Sequence, residues 1–366
     1  MTDPDPRPET GPPGLGGGGD RGGRPVPSGR VRRTIGLDVG GTKILGVTLA
    51  HGPDGVVVED REVVASDAAS PAVVGRCVDV ARVLLDRRVA RVDRDGADGD
   101  VTADGDVTAV GVGLAGFVDP SGVVRSAPNS RGLVGRDVRG SISEVLGLPT
   151  EADNDANCAA IAALRMIEPR VEDLVAVTFG TGIGGGLVVG GRLVRGARGF
   201  AGEPGHMVVD PDGPLCPCGQ HGCWERYASG SGLAWLARNA VADGRAPGLA
   251  SMVPDPSGLR GEHVAAGLRD GDPGAAAVLD EYAGWVALGV ANLVNLLDPE
   301  VVVLGGGVMA LGEPLLVRVR DQLTTRVPAA VDGRRVGVMA TPGGPEAGAI
   351  GAALLAGGPV TARHDL

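Results

Sequence analysis

Apolar positions fall in short runs near the start of the chain and in longer, helix-like runs near its end. RTIGLDVG (33–40) reads as an apolar strand running into glycines. ILGVTLA (44–50) and GVVVEDREVV (55–64) follow as two more strands, and this succession predicts an antiparallel meander. A helix is predicted near 71–90, then the strand TAVGVGLAG (108–116) and a turn at DPSG (119–122). The pattern continues with a helix over 154–167, the strand DLVAVTFG (173–180), a glycine loop and the strand GGLVVGGRLV (185–194). Beyond residue 223 it turns mainly helical. AGWVALGVANLVNLLD (283–298) leads into the strand EVVVLGGG (300–307), and a last helix is predicted near 346–356. The plan is duplicated: a glycine-rich strand-to-strand turn near 40 and another near 182 are each followed by strands and then helices.

Two segments stand outside this pattern. Residues 1–30 are Pro, Gly, Asp and Arg with almost no large apolar side chain, so burial cannot offset their ordering entropy and disorder is predicted. They lack the apolar core of a signal peptide and the helical periodicity of a DNA-binding domain. RVDRDGADGDVTADGD (91–106) is acidic and glycine-rich. Counted as a calcium loop from Asp93, it puts Ala97, Asp98 and Asp104 at the fifth, sixth and twelfth positions, which fails the ligand pattern and leaves a solvated loop.

Composition narrows the class. Hydrophobic residues make up 43% of the 366 and aromatics 2%, so the core must be built from Val, Ala and Leu. A net charge of −11 argues against non-specific nucleic-acid binding, which needs a basic face. No apolar stretch approaches the roughly 18 residues of a membrane span, so no membrane partner is expected. Five cysteines, three of them clustered at metal-type spacing, fit a reducing cytoplasm.

The clustered cysteines carry the first chemistry. GHMVVDPDGPLCPCGQHGCWE places His206, Cys216, Cys218 and Cys223 in a His-x9-Cys-x-Cys-x4-Cys pattern, with Gly219 and Gly222 to turn the backbone. Three thiolates and one imidazole fill the tetrahedral shell of Zn²⁺ with no open position, which marks a structural site. His221 lies inside the same loop as an alternative ligand. Glu203 and Glu225 frame the loop, so it is expected to support a site.

The second chemistry is phosphate binding. GxGxxG-type patterns occur at Gly111–Gly116, Gly180–Gly185 and Gly305–Ala310, but only the last has a strand before it and a helix after it, which disfavours a dinucleotide fold. The turns Asp38-Val-Gly-Gly-Thr-Lys43 and Thr178-Phe-Gly-Thr-Gly-Ile-Gly-Gly185 suggest a different device. Their glycines let successive N–H groups converge on phosphate oxygens, with hydroxyls from Thr42 and Thr181. Asp38 is a candidate holder of hydrated Mg²⁺. A third glycine run, Gly305, Gly306 and Gly307, strengthens the pair.

LDVGGTK, ADNDAN, GTGIGGG, GEPGHM and CPCGQHGCWE occur in the order and spacing of the ROK family of sugar kinases, and the chain resembles that family over roughly 33–356. The resemblance implies an α/β fold of the actin, hexokinase and Hsp70 type, with two ribonuclease-H-like lobes around a cleft. A small lobe over 31–152, completed by the helix at 345–357, would face a large lobe over 153–344 that carries the zinc loop at 206–223. ATP phosphates would meet Gly40, Gly41, Thr42, Lys43, Gly180, Thr181 and Gly182, with the adenosine end at Gly305–Gly307. A glucose substrate would contact Asn129, Asn154, Asp155, Glu203, His206 and Glu225, and the same pattern favours His206 as the zinc ligand. A homodimer or homotetramer is implied.

Within that frame Asp155 is the expected general base. A sugar hydroxyl is a poor nucleophile, so a carboxylate must take its proton during attack, while Asn154 holds a neighbouring hydroxyl. Asp153, Asn154 or Asp155 is equally suited to capping the helix that follows. The turn after Asn129 (SRGLV) is more polar than is usual in the family. N-acetylglucosamine, N-acetylmannosamine and fructose are alternative acceptors. A sugar-responsive repressor of the same family is disfavoured, because 30 Pro/Gly-rich residues are too few for a helix-turn-helix domain.

Overall fold

The computed structural model describes residues 31–52, 55–95, 106–127, 130–328 and 336–358. The expectations for residues 1–30, for most of the acidic 91–106 loop and for Asn129 lie outside them.

The elements in the first half are β1 (Arg32–Val39), β2 (Lys43–Gly52), β3 (Gly55–Ala65), α1 (Val73–Asp95), β4 (Val107–Leu114), β5 (Phe117–Val118), β6 (Val124–Ser126), α2 (Val138–Leu146), β7 (Thr150–Asn154) and α3 (Asp155–Met166). A second strand group follows, β8 (Leu174–Phe179), β9 (Ile183–Val189) and β10 (Arg192–Leu193). Five helices come next: α4 (Glu225–Ala228), α5 (Gly230–Ala242), α6 (Pro247–Ala250), α7 (Gly261–Arg269) and α8 (Pro273–Leu297). The chain then runs through β11 (Val301–Gly305), α9 (Glu313–Leu323), β12 (Gly337–Ala340) and α10 (Ala347–Ala356).

The duplicated strand-turn-strand plan read from the sequence is present in both sheets, although the stretch 185–194, read as one strand, is broken by the turn at Gly190–Gly191 into the end of β9 and β10. One sheet has the order β3-β2-β1-β4-β7 and the other β10-β9-β8-β11-β12. In each, the first three strands form an antiparallel meander and the last two run parallel to the meander's first strand. This is the ribonuclease-H-like order, built twice.

The sheets meet through two helices. α3 packs Ala160, Ala163 and Leu164 with Ala176, Val301 and Val303 of the second sheet. α10 packs Ala349, Ile350 and Ala353 with Leu45, Val47 and Leu49 of the first, and with Ile161 of α3. Close approach is enforced by missing side chains. A Cβ on Gly36 or Gly111 would stand 1.9 or 1.7 Å from a carbonyl of α10, and one on Gly351 would stand 1.7 Å from the Cys158 carbonyl of α3. α10 therefore rests on the strand backbones themselves, and this brings the ends of β1 and β7 beside the start of α3.

Two details differ from the sequence pattern. α8 has the length and apolarity to cross a bilayer, so one long apolar stretch does exist. Its Val278, Tyr282, Val286 and Val290 are fully buried against the second sheet and its helices, and it serves as that half's core helix. TEADN forms the strand β7 despite its polarity, because it pairs in parallel with β4.

The few aromatics are not scattered. Trp224 is fully buried, donates from Nε1 to the Trp285 carbonyl (2.7 Å) and meets Phe179 edge-on at 5.7 Å. Tyr227 stacks on Trp285 at 4.0 Å and meets Trp235 edge-on. Tyr282 donates its hydroxyl to the Ala228 carbonyl (2.5 Å). All three tryptophans and both tyrosines of the chain thus sit together around α4, which follows the cysteine loop.

Candidate active site

Four acids converge where the two sheets meet. Asp38, near the end of β1, lies under the first turn of α10, where a Cβ on Gly348 would be 2.9 Å from its carboxyl carbon. Burial pushes its pKa up to about 7, the charge of Asp155 adds to the rise, and Lys43 offsets part of it. Asp155 opens α3; burial raises its pKa too, against the backbone N–H of Ala156 at 2.9 Å. Glu203 is pushed up to about 7 by burial first, then by the charges of Asp155 and Glu225.

Of the three residues suited to capping α3, Asn154 takes the role. Asn154 is the N-cap of α3, accepting from the backbone N–H groups of Ala156 (2.9 Å) and Asn157 (3.1 Å). Its amide also donates to the Gly116 carbonyl (3.1 Å). Asp153 is buried and takes N–H bonds from the Asn154 backbone, the Asn157 side chain and Arg195. Asp155 takes the Ala156 N–H and its own backbone N–H, and no side-chain donor among the described residues.

The cysteine loop brings its candidate metal ligands together. Ligand atoms of His206, Cys216, Cys218 and Cys223 all lie within 4.8 Å of one another. His206 Nδ1 is buried without a hydrogen-bond partner, an orphan that a metal would satisfy. His221 is exposed, pairs its Nδ1 with the Gly213 carbonyl (3.0 Å) and is not part of that cluster. Positive φ at Gly219 and Gly222 (95° and 65°) makes the two turns, and the Cys216 N–H closes on the Gln220 carbonyl at 2.8 Å.

Glu225 ties this loop to the glycine turn of the second sheet. One carboxylate oxygen accepts the Ile183 N–H at 2.9 Å, and the other stands 4.0 Å from Cys216 Sγ. A Cβ on Gly182 would fall 2.2 Å from the first oxygen, so the turn is glycine there to admit Glu225.

A cavity of about 800 Å³ opens beyond that turn. It gathers Gly180, Thr181, Gly307 and Val308, while Gly40, Gly41, Thr42 and Lys43 lie outside its lining. Gly305 and Gly306 sit just behind it, with Gly306 tight against the Phe179 backbone. Leu233, Ala234, Leu259 and Leu311 form apolar walls, and Arg238, Arg260, Glu262 and Arg269 bring charge to it. Sequence reasoning missed these residues of α5, α7 and the segment between them. Ordinary Leu and Arg carry no motif, although the helix starts at Gly230 and Gly261 were available as a signal.

The ROK family profile matches residues 98–358, more than half of the chain. The chain belongs to the ROK family. This ROK protein is 33% identical to a glucokinase of Streptomyces coelicolor over 328 residues, covering 88% of this chain and 97% of the relative. It is 32% identical to an N-acetylmannosamine kinase of Escherichia coli over 326 residues, covering 89% and 98%. Among solved structures, a ROK family glucokinase from Streptomyces griseus in complex with glucose and AMPPNP superposes with a TM-score of 0.71 at 34% identity. That alignment covers 88% of this chain and 99% of the other. The two like sheets of the ROK chain are the lobes of the actin, hexokinase and Hsp70 fold.

Proposed function

We propose that the chain is an ATP-dependent glucose kinase that transfers a phosphoryl group to the 6-hydroxyl, with Asp155 as general base. The observation that carries this reading is Asp155 itself. Asn154 relieves it of capping, burial raises its proton affinity, and it lies within the electrostatic reach of Asp38 on the first sheet and of Glu203 in the loop after β10. A base with a raised pKa accepts the hydroxyl proton more readily as the oxygen attacks. Phosphoryl transfer otherwise needs position and charge compensation. The 800 Å³ cavity has space for the nucleoside, and the exposed turns at 40–43 and 180–182 offer N–H groups to phosphates. The glucokinase relatives favour glucose as acceptor.

Sugar hydroxyls are assigned to Asn129, Asn154, Asp155, Glu203, His206 and Glu225. Zn²⁺ would be held by His206, Cys216, Cys218 and Cys223 and supplies a rigid anchor for the loop between Glu203 and Glu225. Asp38 would hold hydrated Mg²⁺, whose charge relieves the crowding of carboxylates and steadies the phosphates. Three thiolates in one loop suit a reducing, cytoplasmic setting. The family resemblance supports a homodimer or homotetramer, and the net charge of −11 speaks against nucleic acid as a partner.

A second reading is an N-acetylmannosamine kinase, favoured by the Escherichia coli relative of nearly equal identity. A coupled ADP-release assay across a hexose panel tests both. Wild type is expected to turn over glucose best. Asp155→Asn is expected to lower kcat by about 10²–10⁴-fold with glucose still bound. An Asp155→Asn enzyme of unchanged kcat would refute the base assignment.

A further inference from the structure

The loop between β10 and Glu203 reaches from the second sheet to the first and to the β5–β6 hairpin beside it, and three contacts hold it there. Arg195 donates from Nε to Asp153 Oδ2 at 2.7 Å, and Asp153 is buried at the end of β7, next to Asn154. Phe200 meets Phe117 of the β5–β6 hairpin edge-on at 5.0 Å. Gly199 is buried so close to the Val118 carbonyl that a Cβ would stand 2.6 Å from it. The loop also closes on itself, with the Ala201 N–H on the Arg195 carbonyl at 3.0 Å.

These contacts complete a ring. Arg195 holds Asp153, Asp153 holds the Asn154 N–H, the Asn154 amide holds the Gly116 carbonyl, and Phe117 beside it holds Phe200. The ring contains Asn154, while Asp155 and Glu203 extend directly from it. We infer that Arg195 is a positioning residue, setting the distance between the Asp155 side of the sugar pocket and the Glu203 side through its ion pair with Asp153.

The electrostatics give the tie a task. Asp155 and Glu225 both raise the proton affinity of Glu203, so the carboxylates repel one another and resist being gathered. Asp153 is an acid already committed to Arg195 and two N–H donors, and it lets the loop be held from the opposite sheet without adding to that repulsion. The Arg195 side chain is 42% exposed, so removing it leaves no hole in the core.

The inference rests on the sugar-kinase reading, and its test separates the two. Glucose binding to the full chain is measured by calorimetry, alongside the affinity for AMPPNP and the thermal midpoint. Arg195→Ala is expected to weaken glucose binding about tenfold or more, since small misplacements of a binding constellation cost that much. AMPPNP affinity should stay within about twofold, because the nucleotide cavity contains no part of the ring. Arg195→Lys should recover part of the loss. Asp153→Asn keeps an acceptor for Asn154 and Asn157 but loses the charge, so it should reproduce the defect, and the double variant should be no worse than either single one. Equal losses for glucose and AMPPNP, unchanged glucose affinity, or additive defects would each overturn the inference. A wild-type chain that does not bind glucose would instead overturn the functional reading.

Discussion

Glu203 offers a sharp test of the site's electrostatics, because its charge costs stability wherever it is ionised. Its pKa moves from 4.5 to about 7 in the folded chain, by burial and by the neighbouring Asp155 and Glu225. The folded state therefore keeps a proton that the unfolded state has already released. Stability is fully present below pH 4.5 and is lost as pH rises to about 7, after which the loss is constant. At 1.36 kcal/mol per pH unit the total is about 3 kcal/mol, an upper value because the site relaxes when charged. Glu203→Gln keeps the shape and removes the charge, and it also relieves Asp155. Urea unfolding of wild type and variant at pH 5 and pH 8.5 would measure the difference. The variant is expected to gain about 1–3 kcal/mol at pH 8.5 and much less at pH 5, while losing glucose affinity. A variant equally or less stable at pH 8.5 would show that Glu203 is not crowded by Asp155 and Glu225.

Three further outcomes follow from the geometry. Gly182→Ala drives a methyl group onto Glu225 and should expel its carboxylate from the Ile183 N–H, raising glucose KM about tenfold in the ADP-release assay; an unchanged KM would show that the pairing has no role. Elemental analysis should find one zinc per chain in wild type and less in Cys216→Ser, with glucose KM rising more than ATP KM. Trp224→Phe leaves the Trp285 carbonyl without its donor and should cost about 1–3 kcal/mol in urea unfolding.

Alternation and glycine punctuation were enough to read the first meander, the first two strands of the second, the helix α8 and the closing helix α10, while the short β10 was merged with β9. Elements whose identity depends on a neighbour were not readable in this way. β7 is written TEADN, and only its parallel pairing with β4 makes it a strand. α2, VRGSISEVL, carries Gly and Ser that mask its period, although Asp137 caps it through the Gly140 N–H. At the site, motif spacing brought Asp38, Asp155, Glu203 and Glu225 forward as separate candidates. Their mutual repulsion appears only when α10 and α3 bring the strand ends together. That His206 and not His221 joins the three cysteines likewise appears only in the fold, and the arginines and leucines of the 800 Å³ cavity had no spacing to betray them.

The gathering of every tryptophan and tyrosine around α4 makes the molecule spectroscopically lopsided. Its near-ultraviolet absorbance and intrinsic emission come from the half built on the second sheet, while the half built on the first is dark among the described residues. Emission therefore reports selectively the half that carries the cysteine loop, and far-ultraviolet dichroism reports both. If the two signals melt at different temperatures, the halves unfold separately, and the dark half can be followed by subtraction without any added label.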